Sequence, residues 1–174
     1  MSDEFPERLP GFDRPLELLH ACHERILRHC DLLEKLIEHL SANGPDEEAR
    51  KAAARIHRYF STSAGLHHED EEKDIFPLLG RQSLKLADLV HGLRQEHRRL
   101  DALWARIGPG LNDPRGIAEL ADFAQQARAF CEVNRHHIAL EETELLVYAR
   151  NSLSSRRLEE IGTSMAQRRG ARFP

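Results

Sequence analysis

Two histidines set directly before an acidic run, His67-His68-Glu69-Asp70-Glu71-Glu72, constrain the fold of this chain more than any other stretch. The run closes on Ile75-Phe76-Pro77. On an α-helix, residues four apart lie one above the other, so His67 and Glu71 share a face. An imidazole and a carboxylate held that way can grip one metal ion. A second copy of the arrangement appears late in the chain, His136-His137-Ile138-Ala139-Leu140-Glu141-Glu142. Two such pairs in one short helical chain are a stronger signal than either alone.

The surrounding pattern is helical throughout, with no sustained alternation and few β-branched residues. Residues 1–13 carry Pro6, Pro10 and Gly11 and read as an extended arm. Asp13 is placed to cap a first helix over about 15–40, with Pro15 in its first turn. Ser41 to Pro45 ends it, and Asp46 opens a second helix that continues to about Leu79, with Pro77 bending its last turn. A third helix is expected over about 83–107. The segment 108–116, rich in Gly and Pro, reads as the longest loop. A fourth helix follows over about 117–150. Ser152, Ser154 or Ser155 can cap a short fifth helix that ends near Gly170, followed by a frayed basic tail. The expected architecture is all-α: an antiparallel up-down-up-down four-helix bundle over 14–152, with the short C-terminal helix and tail of 153–174 packed on the same domain.

Composition narrows the function classes. The chain has 174 residues, 31% charged and 40% hydrophobic, which suits one domain with a sizeable core. No run is long and apolar enough to span a bilayer, and the N-terminus does not read as a secretion signal. A cytoplasmic location is expected. A net charge of −4 gives no electrostatic case for nucleic acid or an anionic membrane. Cys22, Cys30 and Cys131 fall inside helical patterns without CxxC spacing, so buried thiols are expected rather than disulfides or a zinc ribbon. The unusual number is 11 histidines beside two tyrosines and one tryptophan.

At about 100° per residue each helix has an apolar direction. On the second helix His67 and Glu71 lie near its centre, and His68 and Glu72 lie to one side. On the fourth, His137 and Glu141 fall within it and His136 points away. On the third, His97 falls within it and His91 is nearly opposite. On the first, His23 and His29 flank the direction equally, but only His23 is level with His67 when both are measured from the turn at Gly44. His20, His29, His39, His57, His68, His91 and His136 are assigned to the surface or to support of the inward groups. One tension remains: His137 lies farther from the 108–116 loop than His97 does, by about ten residues or ~15 Å of helix.

A single histidine on an apolar face is more often a satisfied core residue than a ligand, and an acidic run is usually a solvated face. Six inward polar groups on four helices are harder to attribute to accident. Burying His23, His67, Glu71, His97, His137 and Glu141 without partners would cost several kcal/mol per charge. A metal pair removes that cost. Imidazole with carboxylate suits iron, manganese or zinc rather than calcium. Glutamates on two different helices can each bridge two metals, which makes a dinuclear site more natural than two separate ones. Glu72 and Glu142 are placed either to hydrogen-bond ligating imidazoles or to face solvent.

The chain resembles the hemerythrin-like family of HHE cation-binding domains. The resemblance rests on Leu18 to Ile26 around His23, on His67 to Pro77, on Glu96 to Leu100 around His97, on His137 to Glu142, and on the tail Met165 to Gly170. It implies a non-haem site of two iron ions with an oxo or hydroxo bridge, and contact with dioxygen, peroxide or nitric oxide. It departs from the oxygen-carrying members in two places. Leu93 stands where those have a further histidine one turn before the helix-three ligand. Their helix-four acid is an Asp five residues after its histidine, whereas here Glu141 stands at four and Glu142, the alternative ligand, at five. The four-histidine, two-glutamate set favours redox chemistry or sensing over simple oxygen carriage. The expected partner is a small diatomic or peroxide ligand. Enzymatic peroxide or nitric-oxide reduction, iron donation in repair, and a structural zinc bundle are the rival readings.

Overall fold

The computed structural model describes residues 10–171. Helix α1 spans Pro15–Asn43. Helix α2 begins as Glu47–Asp70, passes through a π-helical turn at Glu71–Ile75 and finishes as Phe76–Leu79. Helix α3 spans Leu84–Asn112. A 3₁₀ turn at Pro114–Gly116 leads to α4, which runs Leu120–Leu140, passes through a second π-helical turn at Glu141–Leu145 and ends as Leu146–Ser152. Helix α5 is Ser155–Arg168. Each long helix packs on its neighbour in sequence, and α1 also packs on α4, which closes an antiparallel bundle. Among the described residues there is no strand.

Local chemistry sets most of the helix starts. Asp46 accepts the Ala49 amide at 2.8 Å, with Glu47 and Glu48 in the first turn. Ser83 and Ser154 cap α3 and α5 in the same way. The cap expected from Asp13 is not made: Pro15 is itself the first helical residue, so the cap position falls on Arg14, which makes no side-chain cap bond. Of the arm expected over 1–13, residues 1–9 lie outside the described residues.

Helix α3 ends five residues later than expected and α4 starts three residues later. Helix α3 continues through Pro109, which is exposed, as is Ala105, whose carbonyl Pro109 has no N–H to meet. Water can take that carbonyl, while buried Ile107, Gly108 and Leu111 hold the inner face of the turn. Gly110 allows close approach, since a Cβ there would meet Ile117 and Phe123 side chains at 3.0 Å. These boundaries remove the expected mismatch in height. His97 to the end of α3 spans about 22 Å of helix, and the start of α4 to His137 spans about 26 Å.

The core is divided into two apolar clusters. One, built on Ile26, Leu33, Ile56, Leu100, Phe130 and Ile138, fills the end that carries the α1–α2 and α3–α4 turns. The other, built on Leu19, Ile75, Phe76, Leu93, Leu145 and Met165, fills the opposite end. The C-terminal end of α5 is tied to α2, and the tail expected beyond Gly170 lies, from residue 172 on, outside the described residues. Arg168 pairs with Asp70 and, at 2.9 Å, with Asp74, and Arg169 pairs with Asp70 at 2.7 Å. On α5, Gly162 lies so close to the arm that a Cβ would sit 1.9 Å from the Phe12 carbonyl oxygen. Among the described residues no helix is long and apolar enough to cross a membrane.

Candidate metal centre

Between the two apolar clusters lies a layer of buried polar side chains. His23 from α1, His67 and Glu71 from α2, His97 from α3, and His137 and Glu141 from α4 are each no more than 4% exposed. The structure brings all six together. His23, His67, Glu71 and Glu141 form one group able to hold a metal ion, with one ligand atom from each within 4.8 Å of the others. Glu71, His97, His137 and His68 form a second under the same condition.

Glu71 belongs to both groups, and its two oxygens face different ways. Oε1 lies 3.1 Å from His67 Nε2 and 3.4 Å from His23 Nε2, whereas Oε2 lies 3.4 Å from His97 Nε2. Glu141 Oε2 lies 3.1 Å from His23 Nε2 and 3.3 Å from His137 Nε2. The two carboxylates thus stand between imidazoles of different helices, with Nε2 as the inward atom of each ring.

The outward nitrogens are held by a ring of acids. His23 Nδ1 donates to Glu142 at 2.6 Å, His97 Nδ1 to Glu72 at 2.9 Å, and His137 Nδ1 to Glu96 at 3.1 Å. Each bond fixes the tautomer that leaves Nε2 to the interior, as carboxylates do for metal-bound histidines. Glu142, the alternative ligand by spacing, therefore supports His23 and also reaches His20 at 3.0 Å. Of the two open readings for Glu72 and Glu142, hydrogen bonding is the one seen. Glu96 escaped the sequence reading. Its signal was its place directly before an inward histidine, which aims it toward the α4 pair His136-His137.

His68 is a correction. Periodicity assigned it to the flank, yet its partly buried ring stacks on His97 with centroids 4.1 Å apart, and it completes the second group. Its helix changes phase just beyond it, at the π turn. One extra residue in a helical turn re-phases all that follows by about 100°. Before the turn Ala53, Ile56, Phe60 and Ala64 define the buried direction, and after it Ile75, Phe76 and Leu79 do. His68 precedes the turn and stands at the border of the first direction, on the side where α3 brings His97. His29, also assigned to the exterior or to support, is buried against Tyr59 and Phe60, away from the metal groups. Trp104 packs with Phe60 and Phe130 against the first apolar cluster.

Electrostatics divides the imidazoles. Burial pushes His67 and His68 well below the ordinary histidine range, where they are neutral. Burial acts in the same sense on His137, but the charges of Glu141 and the bond from Glu96 outweigh it and raise it to about 10. His23 and His97 are raised likewise, by Glu141 and Glu71 respectively, against burial. Glu141 is held well below the carboxylate range by His137 and His23, although its burial opposes this.

Several buried atoms have no hydrogen-bond partner: both ring nitrogens of His67, Oε2 of Glu71 and both oxygens of Glu141. The 3.1 Å contact of His67 with Glu71 lacks hydrogen-bond alignment. Buried polar groups are almost always satisfied, so orphans clustered in one layer mark a ligand's place. Imidazole and carboxylate donors fit a first-row transition metal.

Comparison with known proteins agrees. The sequence profile described as the hemerythrin HHE cation binding domain matches residues 14–149. An uncharacterised protein of Haemophilus influenzae is 30% identical over 164 residues, covering 94% of this chain and 95% of the relative. With its ligand-bearing helices, its central layer of histidines and glutamates and this match over most of its length, the chain belongs to the hemerythrin HHE cation-binding domain family.

Proposed function

We propose that this protein holds two iron ions between His23, His67, His68, Glu71, His97, His137 and Glu141, and that it binds, senses or reacts with dioxygen or reactive oxygen and nitrogen species. The carrying observation is the shared Glu71, whose two oxygens face two adjoining donor groups. Bound there, a redox-active iron pair would supply one-electron steps and open positions for a small diatomic or peroxide ligand. The chain's own part is to position and to exclude. Glu142, Glu72 and Glu96 orient three imidazoles through Nδ1. Leu93, fully buried where oxygen-carrying relatives place a further histidine, walls the layer with apolar surface beside Ile75 and Phe76. Phe76 also stacks on His97 with centroids 5.5 Å apart and keeps water from that ring. The free thiols Cys22, Cys30 and Cys131 suit the reducing cytoplasm in which we place the protein.

Metal analysis with an absorption spectrum tests the reading. Two irons per chain, with near-ultraviolet charge-transfer bands that move on adding azide, are expected. A redox-silent protein that takes only zinc would overturn it. Turnover of peroxide by the iron-loaded protein would then separate an enzyme from a sensor or carrier.

A further inference from the structure

The three acids that back the inward histidines differ in what stands behind them. Glu142 lies between His23, at 2.6 Å, and His20, at 3.0 Å. Glu96 lies between His137, at 3.1 Å, and His136, at 2.6 Å. Glu72 lies between His97, at 2.9 Å, and Arg94, at 3.0 Å. Two of the outer groups are exposed imidazoles, and the third is a guanidinium, which keeps its charge at every working pH.

Arg94 is placed by its helix. It stands three residues before His97 on α3, so the two side chains share a face, and Glu72 comes to both from α2. The oxygens of Glu72 are divided between them: Oε1 accepts from His97 Nδ1, and Oε2 faces Arg94 Nε. Arg94 Nε is buried and makes no aligned hydrogen bond, so it acts on Glu72 as a charge rather than through a directed bond. The guanidinium also lies over Phe76, 5.9 Å from the ring centroid, and Phe76 stacks in turn on His97. On the surface Arg94 lines a cleft of about 400 Å³ with Pro77, Arg81 and His91. It therefore stands between water and the acid that holds His97.

An ion pair this exposed adds little to stability. Its consequence is positional. Without Arg94, the second oxygen of Glu72 is left to turn toward water, and the Nδ1 bond that orients His97 loosens with it.

We propose that Arg94 is a positioning residue for His97, acting through Glu72, and that it sets how tightly the His97 side of the centre holds its metal. This rests on the reading of the polar layer as an iron centre.

Chelator competition on the iron-loaded full chain tests it. Arg94→Gln should weaken iron binding about tenfold, the low end for such outer partners. Arg94→Lys keeps a charge facing Glu72 and should weaken it by no more than about threefold. In a Glu72→Gln background, Arg94→Gln should cost less than about a further twofold, because the group it acts through is already gone. Arg99→Gln, which removes an exposed charge from the same helix, should change nothing. The metal-free protein gives a second reading. The Nδ1 proton resonance of His97 should exchange faster with water in Arg94→Gln, while those of His23 and His137 stay as they are. The proposal is overturned if Arg94→Gln binds iron as tightly as the unaltered chain. It is also overturned if Arg94→Lys loses as much as Arg94→Gln, or if the full loss persists in the Glu72→Gln background, since Arg94 would then serve only to pack on Phe76. Failure of the iron reading is distinct: the unaltered chain takes up no iron, and the His97 proton resonance then decides whether Arg94 positions the ring.

Discussion

At the scale of single residues, the site is a set of donors whose worth depends on what each ring does with its second nitrogen. The inward residues at i and i+4 were legible from spacing and periodicity. Their outer partners were not, because a carboxylate that reaches across to another helix leaves no trace in its own helix's pattern. Glu72, Glu96 and Glu142 each orient one imidazole. Replacing any one with Gln should weaken iron binding about 10- to 100-fold without changing the number of ions bound, as measured by competition with a chelator. His67 behaves differently, since both its nitrogens are buried without partners. His67→Leu should abolish binding of a metal pair yet stabilise the metal-free chain by about 1–3 kcal/mol, the cost of burying such groups unsatisfied. Thermal melts with and without chelator check both halves: the variant should melt higher in chelator and gain nothing from iron.

At the scale of elements, the two π-helical turns stand at equivalent places, each starting at the glutamate of a His-Glu pair. A regular helix cannot keep both ends of its apolar face on the core while presenting His67, His68 and Glu71 inward together, and the extra residue resolves that conflict. The fifth helix is bound to the first of these turns. Asp70, 1% exposed and directly before Glu71, is held by Arg168 and Arg169, and Asp74 by Arg168 and Ser164. Burial raises Asp70, but the two guanidinium groups oppose this. Breaking the clasp from its two sides should have unequal effects. Asp70→Leu leaves Arg168 paired with Asp74 and Arg169 able to reach water along its flexible stem, and should cost about 1–2 kcal/mol. The double substitution Arg168→Leu with Arg169→Leu strands a buried carboxylate and should cost about 3–5 kcal/mol. Urea midpoints rank the two, and an equal or reversed order would refute the account.

For the whole molecule, a polar layer between two apolar clusters makes the fold's stability depend on its cation. A ligand that binds only the folded chain stabilises it by ~4 kcal/mol at about a thousandfold excess over its dissociation constant. Acid acts through clips between helices. Glu34 on α1 is held below the carboxylate range by its bonds to Arg135 on α4, at 2.7 Å, and Asp46 by its capping of α2 and its bond to His39. A depressed carboxylate lends stability above its unfolded value, near 4, and loses it as pH falls through its folded value. Denaturation midpoints should therefore stay flat from about pH 6 to 5 with respect to this clip and fall below about pH 4. Glu34→Gln should flatten that fall, by less than ~1 kcal/mol because the pair is largely solvated.

Spacing and periodicity determined that this chain is a four-helix bundle with a fifth helix, and which six side chains point into its middle. That much is local, because a helix of 3.6 residues per turn maps sequence directly onto faces. Only the tertiary structure decided the rest. It carried α3 through Pro109, which brought His137 level with His97. It placed an extra residue in α2 and in α4, which keeps both ends of each helix on the core, and it brought His97 against the ring of His68. It also brought Glu96, Glu72 and Glu142 to the backs of histidines on other helices, and Arg168 and Arg169 to Asp70. Each of these depends on what one helix meets on another, and a pattern read along a single helix does not contain its neighbours.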